Sequence, residues 1–130
     1  MAGGDDHRLA AAQLDLKAAQ VSIAAGDYGE CCVQAERAAE KALKVLLHCH
    51  GIESQSDVLA QLLLEVRRFH PVPESLSNMA QELDLHYDSA FRLAYSGQCG
   101  LPPENFEPDT AARCLDHARQ LLAFVETRLP

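Results

Sequence analysis

Between residues 27 and 51 the apolar and polar positions recur with the period of an α-helix. Cys31, Cys32, Ala35, Ala38, Ala39, Ala42, Leu43, Leu46 and Cys49 fall on one broad face at about 100° per residue. Asp27 precedes the run, with Glu30 three residues on in a capping-box pattern. Gly51 follows it, where a helix end takes a positive φ. The face is rich in small residues at its start, so a neighbouring helix can approach closely there. Nearly opposite lie Arg37, Lys41, Lys44 and His48, spaced four, three and four apart and therefore on one surface line.

The same reading predicts four more helices. From about Asp6 to Ala25 there are two apolar lines, Leu9, Ala12, Leu16, Ala19 and Ile23 on one side and Leu14, Ala18, Val21 and Ala25 on another. A helix apolar on two sides either sits centrally in a bundle or packs on another chain, and Leu9, Leu16 and Ile23 are the interface candidates. Gly26-Asp27 turns the chain sharply, which makes antiparallel neighbours. A third helix over 57–69, capped by Ser54 or Ser56, stops at Pro71 and Pro73. A fourth runs from Glu74 to Tyr95 on the stripe Leu76, Met79, Ala80, Leu83 and Tyr87. After a Gly- and Pro-rich stretch at 96–107, Pro108 opens a last helix reaching Leu129. Its core line includes Ala111, Cys114, Leu115, Ala118, Leu121, Leu122 and Val125, with Phe124 off that line. Phe124 is read either as an exposed contact for a partner or as cover for a loop. No run alternates as a strand does. The fold class is all-α, an antiparallel up-and-down bundle of four to five helices, in one domain over 1–130.

Composition narrows the function. The chain is 48% hydrophobic but only 5% aromatic, so Ala and Leu carry the core. A net charge of −8 argues against extended nucleic-acid binding while leaving room for a local anion site. No apolar run is long enough for a membrane span, and MAGGDDHR leads into no signal core. Five cysteines without a CxxC pair read as thiols, mostly buried, in a reducing cytoplasm, with Cys99 the one expected to be exposed. No metal or cofactor is expected.

Glycine-rich nucleotide motifs, HExxH and GxSxG are absent. Asp84 and Asp88 stand four apart, a spacing that suits a metal only with partners on other helices; a solvated acidic face is the plainer reading. Arg113 and His117, also four apart, share a face and are the pair to weigh for RNA cleavage, alongside His86 and Tyr87. The cationic line is interleaved with Glu30, Glu36 and Glu40. It reads either as a salt-bridged surface or as a row of phosphate donors.

The stretch GDYGECCVQAERAAEKALKVLL at 26–47 resembles the second helix of the HEPN family. Leu83-Asp84 followed by Tyr87 and Arg92, then Phe106 and a closing Phe124-Val125-Glu126, are similar to its later segments. The resemblance implies an all-α, usually dimeric bundle. Family members are proposed to bind nucleotides, stand beside a nucleotidyltransferase partner or occur in sacsin-like proteins, or act as toxin RNases through Arg-x4–6-His. Here three residues separate Arg113 from His117, which departs from the nuclease type. The expectation is therefore a non-catalytic, cytoplasmic homodimer that binds nucleotide phosphates or a partner protein. Arg37, Lys41, Lys44 and His48 would hold phosphates, Arg92 would assist, and Tyr87 or Tyr95 would stack on a base. The alternative is a toxin-type RNase using Arg113 and His117.

Overall fold

The computed structural model describes residues 2–95 and 106–130, with side chains over 7–88 and 106–130. Five helices account for most of them: α1 (Ala2–Ala24), α2 (Tyr28–Cys49), α3 (Leu59–Val66), α4 (Glu74–Tyr95) and α5 (Pro108–Arg128). The layout is the all-α bundle the periodicity predicts. α2 is its axle, touching each of the other four helices. Its apolar face is buried, Cys31, Cys32, Ala35, Ala38, Ala39, Ala42 and Leu43 all at zero exposure, with Cys49 at its end half-buried. Alanines there and Ala12 and Ala19 on α1 let the two backbones close on each other.

The ends of α2 follow the sequence in part. Gly51 takes φ +78°, and the amides of Gly51 and Ile52 return to the carbonyls of His48 and Leu47. Gly26 makes the opposite turn at φ +84°. Asp27 occupies the cap position, but its side chain accepts no capping hydrogen bond. Only its carbonyl serves, taking the Cys31 amide at 3.0 Å.

α3 departs further from expectation. It begins at Leu59, and neither serine caps it; Ser56 Oγ instead accepts the Val58 amide at 3.1 Å. The cap comes from another helix. Asp84 on α4 accepts the Leu59 amide at 2.8 Å and the Ala60 amide at 3.0 Å. Two orphan donors of a helix first turn are thus satisfied by one tertiary carboxylate. Asp84 is therefore not part of a solvated acidic face.

The interface candidates Phe124, Leu16 and Ile23 all pack within this chain. Phe124 is only 7% exposed, with the Arg128 guanidinium 4.1 Å from its ring centre. It lies three residues after Leu121, on the same side of α5, so the apolar face is wider than a single line. On α1, Leu16 and Ile23 pack against the core of their own chain, and Leu9 is half-buried. The opposite line faces outward, with Leu14 and Val21 each 67% exposed. Cys31, Cys32 and Cys114 are buried and Cys49 is half-buried; Cys99 lies outside the described residues. No helix among the described residues is long and apolar enough to cross a membrane.

Candidate functional site

The polar line of α2 is engaged along its length. Lys41 Nζ lies 2.6 Å from Asp15 Oδ2 on α1, an ion pair by distance, although Asp15 Oδ2 receives no aligned hydrogen bond. Lys44 Nζ reaches Glu40 at 3.1 Å and Asp57 at 3.4 Å. His48 Nε2 stands 3.2 Å from Glu53. Arg37 bears on the Tyr87 hydroxyl. Of the two readings the spacing allowed, the salt-bridged surface describes this line. The outer partners are open to water, Asp57 being 80% and Glu53 64% exposed, whereas Asp15 and Glu40 are largely buried at 25% and 22%. Exposed pairs contribute about 0–1 kcal/mol each, so a stronger anion can trade places with Asp57 and Glu53 at small cost, while Asp15 and Glu40 stay beside their lysines.

Two of these cations also meet in a pocket. Lys41 and Lys44 line a cavity of about 350 Å³ together with Arg8 and Ala11 of α1 and Ile52, Glu53 and Ser54 of the loop after α2. Arg8 Nη1 is 3.6 Å from Glu53 Oε1. Ala11 and Ile52 give the lining its apolar part, and three cationic side chains from two helices line it with them. Sequence reading missed Arg8 and the loop residues. Their signal on α1 is the line Arg8, Ala11 and Asp15, spaced three and four apart. Nothing in the spacing showed that this line would close against Lys41 and Lys44.

The remaining ligand-binding candidates do not gather there. His48 touches the pocket through Glu53, while Arg37 and Tyr87 pair elsewhere, beside buried Glu36. The side chains of Arg92 and Tyr95 lie outside the described residues.

A second cluster joins α4 to α5. Glu82 Oε1 accepts from Arg113 Nε at 2.9 Å, stands 3.2 Å from His117 Nε2 and is 3.8 Å from His86 Nε2. The Arg113 hydrogen bond holds the Glu82 carboxyl below its usual range, with His117 adding to it against partial burial. Burial lowers His86 from its ordinary value. Arg113 and His117 therefore do converge. The Arg113 charge is answered by Glu82, which also meets His117, so the group is a polar brace between two helices. His117 Nδ1 is buried without a hydrogen-bond partner among the described residues.

Glu36 is the other unusual group. It is 1% exposed, and neither carboxylate oxygen has a hydrogen-bond partner among the described residues. Burial, reinforced by Glu40, Asp84 and Asp57, pushes its pKa up to about 8. No group of three or more His, Cys, Asp or Glu side chains is placed to hold a metal among the described residues.

Known proteins resemble this architecture closely. The family model for the HEPN domain matches residues 6–128. The crystal structure of TT1696 from Thermus thermophilus superposes with a TM-score of 0.87 at 33% identity, covering 96% of this chain and 98% of that one. An archaeal HEPN homologue gives 0.78 at 26% identity, over 95% and 96% of the two chains. A HEPN domain protein from Thermotoga maritima gives 0.77 at 27% identity, over 95% and 99%. None of the curated proteins matches.

Proposed function

The chain belongs to the HEPN domain family, and from that premise we propose that it is a non-catalytic helical module that holds the phosphates of a nucleotide between α1, α2 and the loop after α2. The observation that carries this reading is the convergence of Arg8, Lys41 and Lys44 on one cavity of about 350 Å³. That volume is at the small end of ligand pockets, the size for one mononucleotide. A guanidinium offers a planar fork to phosphate oxygens, and two ammonium groups add movable point charges. Ala11 and Ile52 give the apolar part of a ligand a surface to rest on. The acidic chain as a whole, at net charge −8, argues for a short ligand over a long polyanion.

Calorimetric titration with ATP tests this. We expect saturable binding, weakened about tenfold in Lys41→Ala by loss of one charge-assisted contact. No heat at millimolar ligand, or an unchanged affinity in the variant, contradicts it.

The module is a homodimer in this reading, and the outward line of α1 is its contact, since Leu14 and Val21 stand 67% exposed. Light scattering is expected to report a dimer for the native chain and a monomer for the double variant Leu14→Glu, Val21→Glu. A native monomer at high concentration removes the assignment. A nucleotidyltransferase or another partner protein would supply chemistry that this chain does not. Four of the cysteines are free thiols, three of them buried, which supports a reducing cytoplasmic setting. The rival reading, a toxin-type RNase, draws on the meeting of Arg113 and His117. It is the weaker one because Glu82 already neutralises the arginine that would bind phosphate.

A further inference from the structure

We propose that Glu53 is a built-in competitor for the pocket's anion, and that it makes the pocket selective for phosphate over carboxylate ligands; this rests on the pocket reading above. One oxygen, Glu53 Oε1, sits 3.6 Å from Arg8 Nη1 and 3.2 Å from His48 Nε2. Those two groups come from different helices, and the carboxylate occupies the point where they meet. A ligand phosphate reaching Arg8 has to take that place.

The loop is built to let Glu53 leave. The side chain is 64% exposed. It follows Gly51, whose φ of +78° ends α2, and it precedes Ser54, whose hydroxyl is anchored to Glu65 at 2.7 Å. The backbone is thus held on both sides of Glu53, whose side chain lines the pocket and is paired there only by exposed contacts. A carboxylate ligand brings the same charge and geometry as Glu53 and gains nothing by replacing it. A phosphate dianion brings more charge and an additional oxygen, so it reaches Arg8 and Lys41 or Lys44 together.

The full chain titrated with ATP, inorganic pyrophosphate and succinate tests this, comparing native protein, Glu53→Gln and Glu30→Gln. Glu30 lies on the first turn of α2, remote from the pocket lining, and its change controls for net charge. Glu53→Gln is expected to bind ATP and pyrophosphate about five- to tenfold more tightly, as removal of two exposed pairings allows. Succinate is expected to bind measurably only to Glu53→Gln, and Glu30→Gln is expected to match the native chain. Native binding that Glu53→Gln does not tighten, or that Glu30→Gln tightens equally, overturns the competitor role and leaves the pocket standing. Absence of ATP binding in both native chain and Glu53→Gln overturns the pocket and this inference with it.

Discussion

Replacing Glu36 with glutamine is expected to stabilise the protein at alkaline pH and to leave it unchanged in acid. The folded carboxyl keeps its proton up to about pH 8, whereas an unburied one releases it near 4.5. Between those values the native state binds more protons than the unfolded chain. The contribution of Glu36 is therefore fully present below pH 4.5 and is lost as pH rises through about 8. At 1.36 kcal/mol per unit the loss near neutrality is about 3 kcal/mol as an upper figure. Glutamine fills the same space without an ionisation, so its advantage should grow from near zero below pH 4.5 to about 2–3 kcal/mol near neutrality and further toward pH 8. Denaturant midpoints for both proteins at several pH values check this. A variant less stable than the native chain at every pH would mean that Glu36 has a partner essential to the fold.

The second large effect is expected at Asp84. Its carboxylate receives the amides of Leu59 and Ala60. α3 is only eight residues long, too short to persist without tertiary support. Burial raises the Asp84 carboxyl and its two amide bonds pull it down, burial prevailing. Part of the gain from the hydrogen bonds is therefore offset by desolvation. Asp84→Ala is expected to cost about 2 kcal/mol. Asp84→Asn keeps one acceptor and is expected to cost about half of that. Hydrogen exchange should quicken first at the Leu59 and Ala60 amides. Equal protection there in Asp84→Ala would contradict the capping role.

These two residues also mark the limit of what periodicity can reveal. Helix placement rests on local signals, and those were legible. Proline fixed the first turn of α5, the prolines at 71 and 73 separated α3 from α4, and Gly51 ended α2. The start of α3 was not legible, because its cap comes from Asp84, 25 residues away from Leu59. Local candidates such as Asp27 and Ser54 matched a capping pattern, yet the Ser54 hydroxyl bonds Glu65 and the Asp27 side chain caps nothing. Phe124 joins the core because the apolar face of α5 is wider than the single line its spacing suggests. Spacing cannot tell which of the two apolar lines of α1 meets the core; in the fold Leu16 and Ile23 do, and Leu14 and Val21 face outward.

The site was legible to a smaller extent. Lys41 and Lys44 were visible as two members of a cationic line, and both line the pocket. Arg8 belongs to a different helix, and only the packing of α1 on α2 brings it there. Arg37 shares the line but pairs toward α4, since four residues along a helix shift which neighbour a side chain meets. Of the acids that hold the cations, Glu40 is local, four residues from Lys44, while Asp15 on α1 and Asp57 and Glu53 beyond α2 are as non-local as Arg8. A one-dimensional stripe cannot show whether its charges are answered.

Amide shifts of the isotopically labelled chain during an ATP titration test the ligand-holding role most directly. The account predicts saturable movement confined to Arg8, Lys41, Lys44 and residues 52–54. Spectra that stay still at millimolar ATP, or shifts that gather around Arg113 and His117 instead, would contradict it.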